Sequence, residues 1–216
     1  GSHRQFVQWA RALAAAGTPC LRFDARGMDF DRAYAIRGAD GRIGSGKNTR
    51  RMRQMEGLFR LRAGLVNGRP AVTFEDGTRF ACDDPGIHAA LSSALHEPVT
   101  LVKEGATPHF DAAPVHLVTT ASLAWLREQL PQVPGDERRF RPNLVINAAG
   151  AGPVEAGWIG RILHIGAQLQ LRVIEPTGRC RMVTLAQDEL PEDARVLRAV
   201  AQGLDAQFGV YAEVLV

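Results

Sequence analysis

The stretch Glu175–Met182, EPTGRCRM, sets one cysteine, Cys180, between Arg179 and Arg181. A thiol whose sulfur lies near a guanidinium is held more readily as thiolate, and a thiolate is a nucleophile and a ligand for soft metals. Gly178, in what reads as a Pro/Gly turn just before it, allows a ligand to approach the backbone closely. The competing reading is packing, because a free cysteine often serves as a small buried hydrophobe. Local residues do not decide between the two.

A second candidate is the run Arg138–Ile146, RRFRPNLVI. Pro142 disfavours the helical conformation at Arg141 and pushes it toward an extended one. Strand alternation then places Arg139, Arg141 and Asn143 on one face, able to bind an anion, and Phe140, Pro142 and Leu144 on a packing face. The alternative is an arginine bridging to Asp136 or Glu137. Gly41–Asn48 is nearly a phosphate loop, but Asn48 stands where Ser or Thr would bind magnesium, and its surroundings read as a hairpin. Residues 47–53, KNTRRMR, have only Phe59 nearby for base stacking, so a solvated basic strand is expected and nucleic acid is not. The histidines at 88, 96, 109, 116 and 164 show no metal-ligand spacing and read as ordinary surface or core residues.

The elements that must carry these residues follow from periodicity. Residues 4–16 have helical spacing and stop at Gly17. From Cys20 to about Val102 come short β-type pieces divided by Asp40-Gly41, Asn67-Gly68 and Asp76-Gly77, which are strong hairpin turns. A short helix is expected at 83–95, with Asp84 capping and Pro85 in its first turn. Beyond Pro114, VHLVTTASLAWLREQL runs from a strand into a helix at Thr120 or Ala121. PNLVINAAG and LQLRVIEP read as strands, LPEDARVLRAVAQGLD as a helix and FGVYAEVLV as a strand. Linkers are expected near 105–108 and 132–136.

Composition bounds the class. The 216 residues suffice for one large or two small domains, and 45% apolar with 23% charged residues is ordinary globular usage. No apolar run is long enough for a membrane helix. Arginine dominates the basic residues, with Lys47 and Lys103 the only lysines; this suits bidentate anion contacts and equally a GC-rich bacterial genome. Three cysteines, Cys20, Cys82 and Cys180, form no CxxC pair, so a disulfide framework and a structural zinc site are not expected, and a cytoplasmic setting is. There is no secretory signal pattern, and Gly1-Ser2-His3 reads as a cloning remnant.

Taken in order, PVHLVTTASLAWL, DERRFRPNLVINA, EAGWIGRILHIGAQLQLRVIEPTGRCRMVTL and FGVYAEVLV resemble the MOSC domain, the module of molybdenum cofactor sulfurase C-termini and of the mitochondrial amidoxime reducing component. DFDRAYAIRGADGRIGSGKNTRRMRQMEGLFRLRA is similar to the β-rich region that precedes such domains. The resemblance implies a β-rich α+β fold with a MOSC-type β-barrel and flanking helices. It divides the chain into an N-terminal helix (1–19), a β-rich region (20–105) and a MOSC domain (106–216). This chain departs from the relatives at its start, where a helix replaces a Pro-Val-Lys-Ser-like loop, and at its end, so the domain is expected to be truncated at its C-terminal strand.

By the same resemblance, molybdenum cofactor (molybdopterin) is bound with Cys180 as metal ligand and catalytic residue. Arg32, Ser122, Arg141, Asn143, Gly178, Arg179 and Tyr211 hold the cofactor; Ser122, in Ala-Ser-Leu at a helix start, suits phosphate. The reaction implied is two-electron reduction of N-hydroxylated or N-oxide small molecules. Electrons would come from a separate donor protein, since no flavin or iron–sulfur motif is present. The alternative is a non-catalytic carrier of the cofactor or of activated sulfur. Pyridoxal phosphate is not expected, because only Lys47 and Lys103 could form its Schiff base.

Overall fold

The structure, a computed structural model, describes residues 34–215 apart from 68, 106–108, 110–111, 167–168 and 188. The helix expected at 4–16, Cys20 and Arg32 lie outside the described residues. The contacts divide the described residues into two compact units, Tyr34–His109 in one and those from 112 onward in the other.

In the first unit, β1 (Tyr34–Gly38) pairs antiparallel with β2 (Ile43–Ser45) and β7 (Val99–Lys103), and β3 (Met52–Gln54) runs parallel to β2. A separate meander holds β4 (Arg62–Val66), β5 (Arg69–Thr73) and β6 (Arg79–Ala81). The turns fall at the expected dipeptides. Gly41 and Gly77 adopt φ of 80° and 84°, the left-handed conformation that glycine tolerates without a Cβ clash. Helix α1 (Ile87–Leu95) buries Ile87, Leu91 and Leu95, one residue per turn, against Ile36, Leu58 and Val72. It starts later than expected. Asp84 Oδ1 accepts from Gly86 N at 2.7 Å and so closes the turn before the helix, leaving Gly86 as the cap with no side-chain bond.

The second unit is a five-stranded sheet in the order β10 (Ile162–Ile165), β11 (Leu169–Gly178), β12 (Gln207–Val214), β8 (Val115–Thr119), β9 (Leu144–Ile146). All five residues of β8 are buried, as befits a strand packed on both faces. It passes directly into α2 (Thr120–Gln129), where Thr119 caps by accepting from Ser122 N at 3.1 Å. Leu123 and Leu126 of α2 and Val196 and Val200 of α3 (Ala194–Leu204) cover Phe140 and Phe208. Each such buried side chain contributes about 1.5–3 kcal/mol.

The unit is β-rich α+β with flanking helices, as expected. Its sheet curls as an open half-barrel: among the described residues β9 and β10 are edges that do not pair with each other. No described helix is long and apolar enough to cross a membrane.

Two local expectations are corrected. Pro176–Gly178 is part of β11 rather than a turn; register shifts at Val173/Glu175 and Pro176/Gly178 let a proline stand in the strand and increase its twist. The alternation expected across Arg139–Asn143 is also absent. Glu137–Arg139 is a 3-10 turn, and Arg141 takes φ 52° because its N–H is captured by the Glu137 and Arg138 carbonyls, both at 3.2 Å. Arg139 is therefore only 2% exposed and donates to Pro191 O at 2.9 Å instead of joining a ligand-facing row.

Candidate functional site

Strand β11 ends at Gly178, and the next side chain, Arg179, turns inward. Its backbone N–H donates to Ala206 O at 2.6 Å. Its Nε donates to Phe208 O at 2.8 Å, Nη1 to Phe140 O at 3.3 Å, and Nη2 to Phe208 O and to Nε2 of His116. The guanidinium also lies 5.4 Å from the Phe140 ring centroid, and that ring stacks on Phe208 at 4.0 Å. A planar fork is the one side chain that can satisfy acceptors on three chain segments at once. Burial lowers the Arg179 pKa to about 9, with Arg141 acting in the same direction and Tyr211, Cys180 and Glu155 acting against it. Arg179 thus stays charged at neutral pH.

Because a guanidinium only donates, Nε2 of His116 must be the acceptor and the ring must be neutral. Burial is the main cause that holds the His116 pKa well below its ordinary value, the Arg179 charge adds to it, and the Arg141 and Phe208 backbone oppose it weakly. Gly209, at φ 82°, makes room for this contact: a Cβ there would stand 2.6 Å from His116 Nε2 and 2.5 Å from Leu117 O. His116 is tied on its backbone side to Asn143, whose N–H donates to His116 O and whose Oδ1 accepts from His116 N, both at 2.8 Å. In the sheet register Tyr211 lies between His116 and Glu175, and its ring meets the imidazole edge-on at 5.8 Å.

Cys180 caps a short 3-10 turn, Arg181–Thr184, and is exposed. Arg181 leans toward Glu192 at 3.8 Å, while Arg141 Nη2 donates to Met182 O at 2.8 Å and pins the same turn. A Cβ built on Gly178 meets nothing within 4 Å, so the end of β11 faces open space.

Ser122 has a different surrounding. It is fully buried, and its Oγ donates to Glu155 Oε1 at 2.6 Å, while Thr119 Oγ1 donates to Glu155 Oε2 at 2.7 Å. The hydroxyl expected to meet a phosphate is engaged by a buried carboxylate, and through Glu155 it is linked to the charge of Arg179.

Arg179 thus gathers Cys180, Arg141 and Tyr211 within electrostatic reach, and Asn143 through His116. Two members were missed in the sequence. His116 carried no ligand spacing, and Glu155 sits in a small-residue stretch, GAGPVEAGW, whose single carboxylate among glycine, alanine and apolar residues was the available signal.

Among the described residues no three His, Cys, Asp or Glu side chains are grouped to hold a metal by themselves. No curated protein matches the chain. The family model for the MOSC domain matches residues 94–216, which take in the entire sheet around Arg179 and Cys180. With more than half of its length so matched, the chain belongs to the MOSC domain family.

Proposed function

We propose that this protein binds the pterin-based molybdenum cofactor with the Cys180 thiolate as metal ligand. We further propose that it is an oxidoreductase that reduces N-hydroxylated or N-oxide compounds with electrons from a separate donor protein. The observation that carries the reading is the exposed thiol of Cys180 set directly after the half-buried, charged Arg179 in a MOSC domain. The donor set fits. One accessible soft thiol, with no further metal-ligating group clustered among the described residues, suits a metal whose other ligands come from the cofactor. The open space before Gly178 leaves room for it to approach.

The cofactor supplies a centre that exchanges two electrons with substrate, and the chain supplies the positioning. Arg179 sets a positive charge beside Cys180 in the chain and fixes the strand end that carries it. Asn143 uses its side-chain oxygen on His116 N, which leaves its amide N–H donors to the ligand. We assign Arg141, Gly178 and Tyr211 to the cofactor as well, and these assignments, like that of Arg32, rest on the resemblance. Ser122 acts through Glu155 by fixing the start of α2. The half-barrel sheet is the part of a MOSC barrel that carries the site.

Protein purified from molybdate-fed cells should carry molybdenum in proportion to protein, and Cys180→Ala should lose it. Equal metal content in the two would overturn the assignment. The exposure of Cys180 also supports a second reading, a carrier of the cofactor or of activated sulfur. A persulfide formed on Cys180 by a cysteine desulfurase, without turnover of N-hydroxylated compounds by metal-loaded protein, would favour the carrier.

A further inference from the structure

The β3-β2-β1-β7 sheet carries a cleft of about 560 Å³ on the face turned away from its hydrophobic core. The register explains which residues reach it. Ile36 pairs with Leu101, and both enter the core. The alternate positions Arg37, opposite Ile43, and Val102, opposite Ala35, point the other way and line the cleft. Arg42, Arg50, Arg51 and Lys103 join them from the strand ends and the adjoining loop.

The charge of this surface is concentrated. Its five Arg and Lys side chains against one carboxylate, Asp40, exceed the formal net charge of +3 on the whole chain. Asp40 is already engaged, accepting from Arg42 N at 3.1 Å and Arg42 Nε at 2.8 Å, with Arg53 at 3.8 Å. These bonds hold its carboxyl below the ordinary range. The side chains of Arg37 and Arg50 are exposed and make no hydrogen bond or ion pair with another described residue. The Arg37 and Arg50 forks are therefore open to an anion in the cleft.

The volume is that of a small-ligand cleft, and arginine forks match phosphate oxygens in pairs. No Phe, Tyr or Trp is among the described lining residues, and their one ring is the buried imidazole of His109, so this lining favours phosphate contacts over base stacking. We infer that this cleft binds a small anion carrying two or more phosphate groups, at a site separate from Cys180 and not dependent on molybdenum.

The test is calorimetric titration of the full chain with inorganic tripolyphosphate at low salt. Saturable binding is expected, weakened at least about tenfold per lost bidentate contact in the Arg37→Gln/Arg50→Gln double variant. Both arginines are exposed, so that variant should keep the thermal midpoint of the parent. Arg141→Gln and Arg172→Gln, both in the other unit, should bind as the parent does, which separates this site from the one around Cys180. The inference is overturned by absent binding, by equal affinity in the double variant, or by loss in Arg141→Gln. It is also overturned by a glutamate peptide of matched charge binding as tightly as tripolyphosphate, which would mark the cleft as a protein-docking face.

Discussion

The guanidinium of Arg179 donates to Nε2 of His116, a contact between side chains 63 residues apart in the chain. It requires a neutral imidazole. Protonating His116 would place a donor against a donor and two positive charges side by side in a buried site.

That relationship makes stability depend on pH. The folded-state pKa of His116 is depressed, so below its ordinary value of about 6.5 the unfolded chain takes up a proton that the folded chain refuses. Unfolding therefore becomes easier as pH falls, by up to about 1.4 kcal/mol per pH unit, and His116 makes no pH-dependent contribution above about pH 7.5. Urea unfolding at pH 7.5 and at pH 5.5 should show this loss, and His116→Gln, which can still accept from Arg179, should reduce it. An unchanged pH slope in the variant would place the effect elsewhere.

Glu155 should be among the most sensitive positions in the chain. Its two carboxylate oxygens accept from Ser122 and Thr119 with no exposure to water. Glu155→Ala strands two buried hydroxyls and removes a negative charge that favours Arg179, so a loss of about 3–5 kcal/mol is expected. Ser122→Ala, which removes one donor and leaves the other, should cost about 1–3 kcal/mol. Equilibrium denaturation of the two single variants and the double variant would measure the coupling. Additive losses would mean that the three residues do not act as one network.

Part of this was legible in the sequence, and the boundary has a physical reason. The turns at Asp40-Gly41 and Asp76-Gly77 and the passage from β8 into α2 depend on local backbone preference and on a local cap, so they could be read directly. Arg179 and Cys180 are neighbours, and their pairing was visible for the same reason. Arg141 was expected to be extended because of Pro142, yet carbonyls at the end of a 3-10 turn hold it in the left-handed region. β10 was missed because its alternate residues Ile162 and His164 face outward, which breaks the usual apolar signal. His116 and Glu155 owe their importance to partners 63 and 33 residues away. The lone carboxylate of GAGPVEAGW was the one local mark of either contact.

Two glycines of the site should separate folding from binding. Gly209→Ala forces a Cβ into a left-handed residue and against the Leu117 carbonyl, so a loss of at least about 2 kcal/mol in unfolding free energy is expected. Gly178→Ala meets only open space and should leave stability within about 0.5 kcal/mol of the parent. If the opening before Gly178 receives the cofactor, the same alanine should lower molybdenum content. A Gly178 variant that folds and loads like the parent would show that the ligand does not approach the backbone there.

The last contrast concerns Arg179 and Cys180, and it decides between packing and chemistry for the cysteine. Arg179→Lys keeps the charge, but a single ammonium cannot reach Phe140 O, Phe208 O and His116 together. Buried acceptors are then left without donors, at an expected cost of about 2–4 kcal/mol. Cys180 is exposed, so Cys180→Ala should change stability by less than about 0.5 kcal/mol, as for other surface truncations. Thermal unfolding of both variants beside the parent is sufficient. A strong midpoint loss in Cys180→Ala would mean that the thiol packs against the chain and that its exposed, ligand-ready state is wrong. A stable Cys180→Ala beside a destabilised Arg179→Lys would assign the arginine to holding the strand end and leave the thiol free for a ligand.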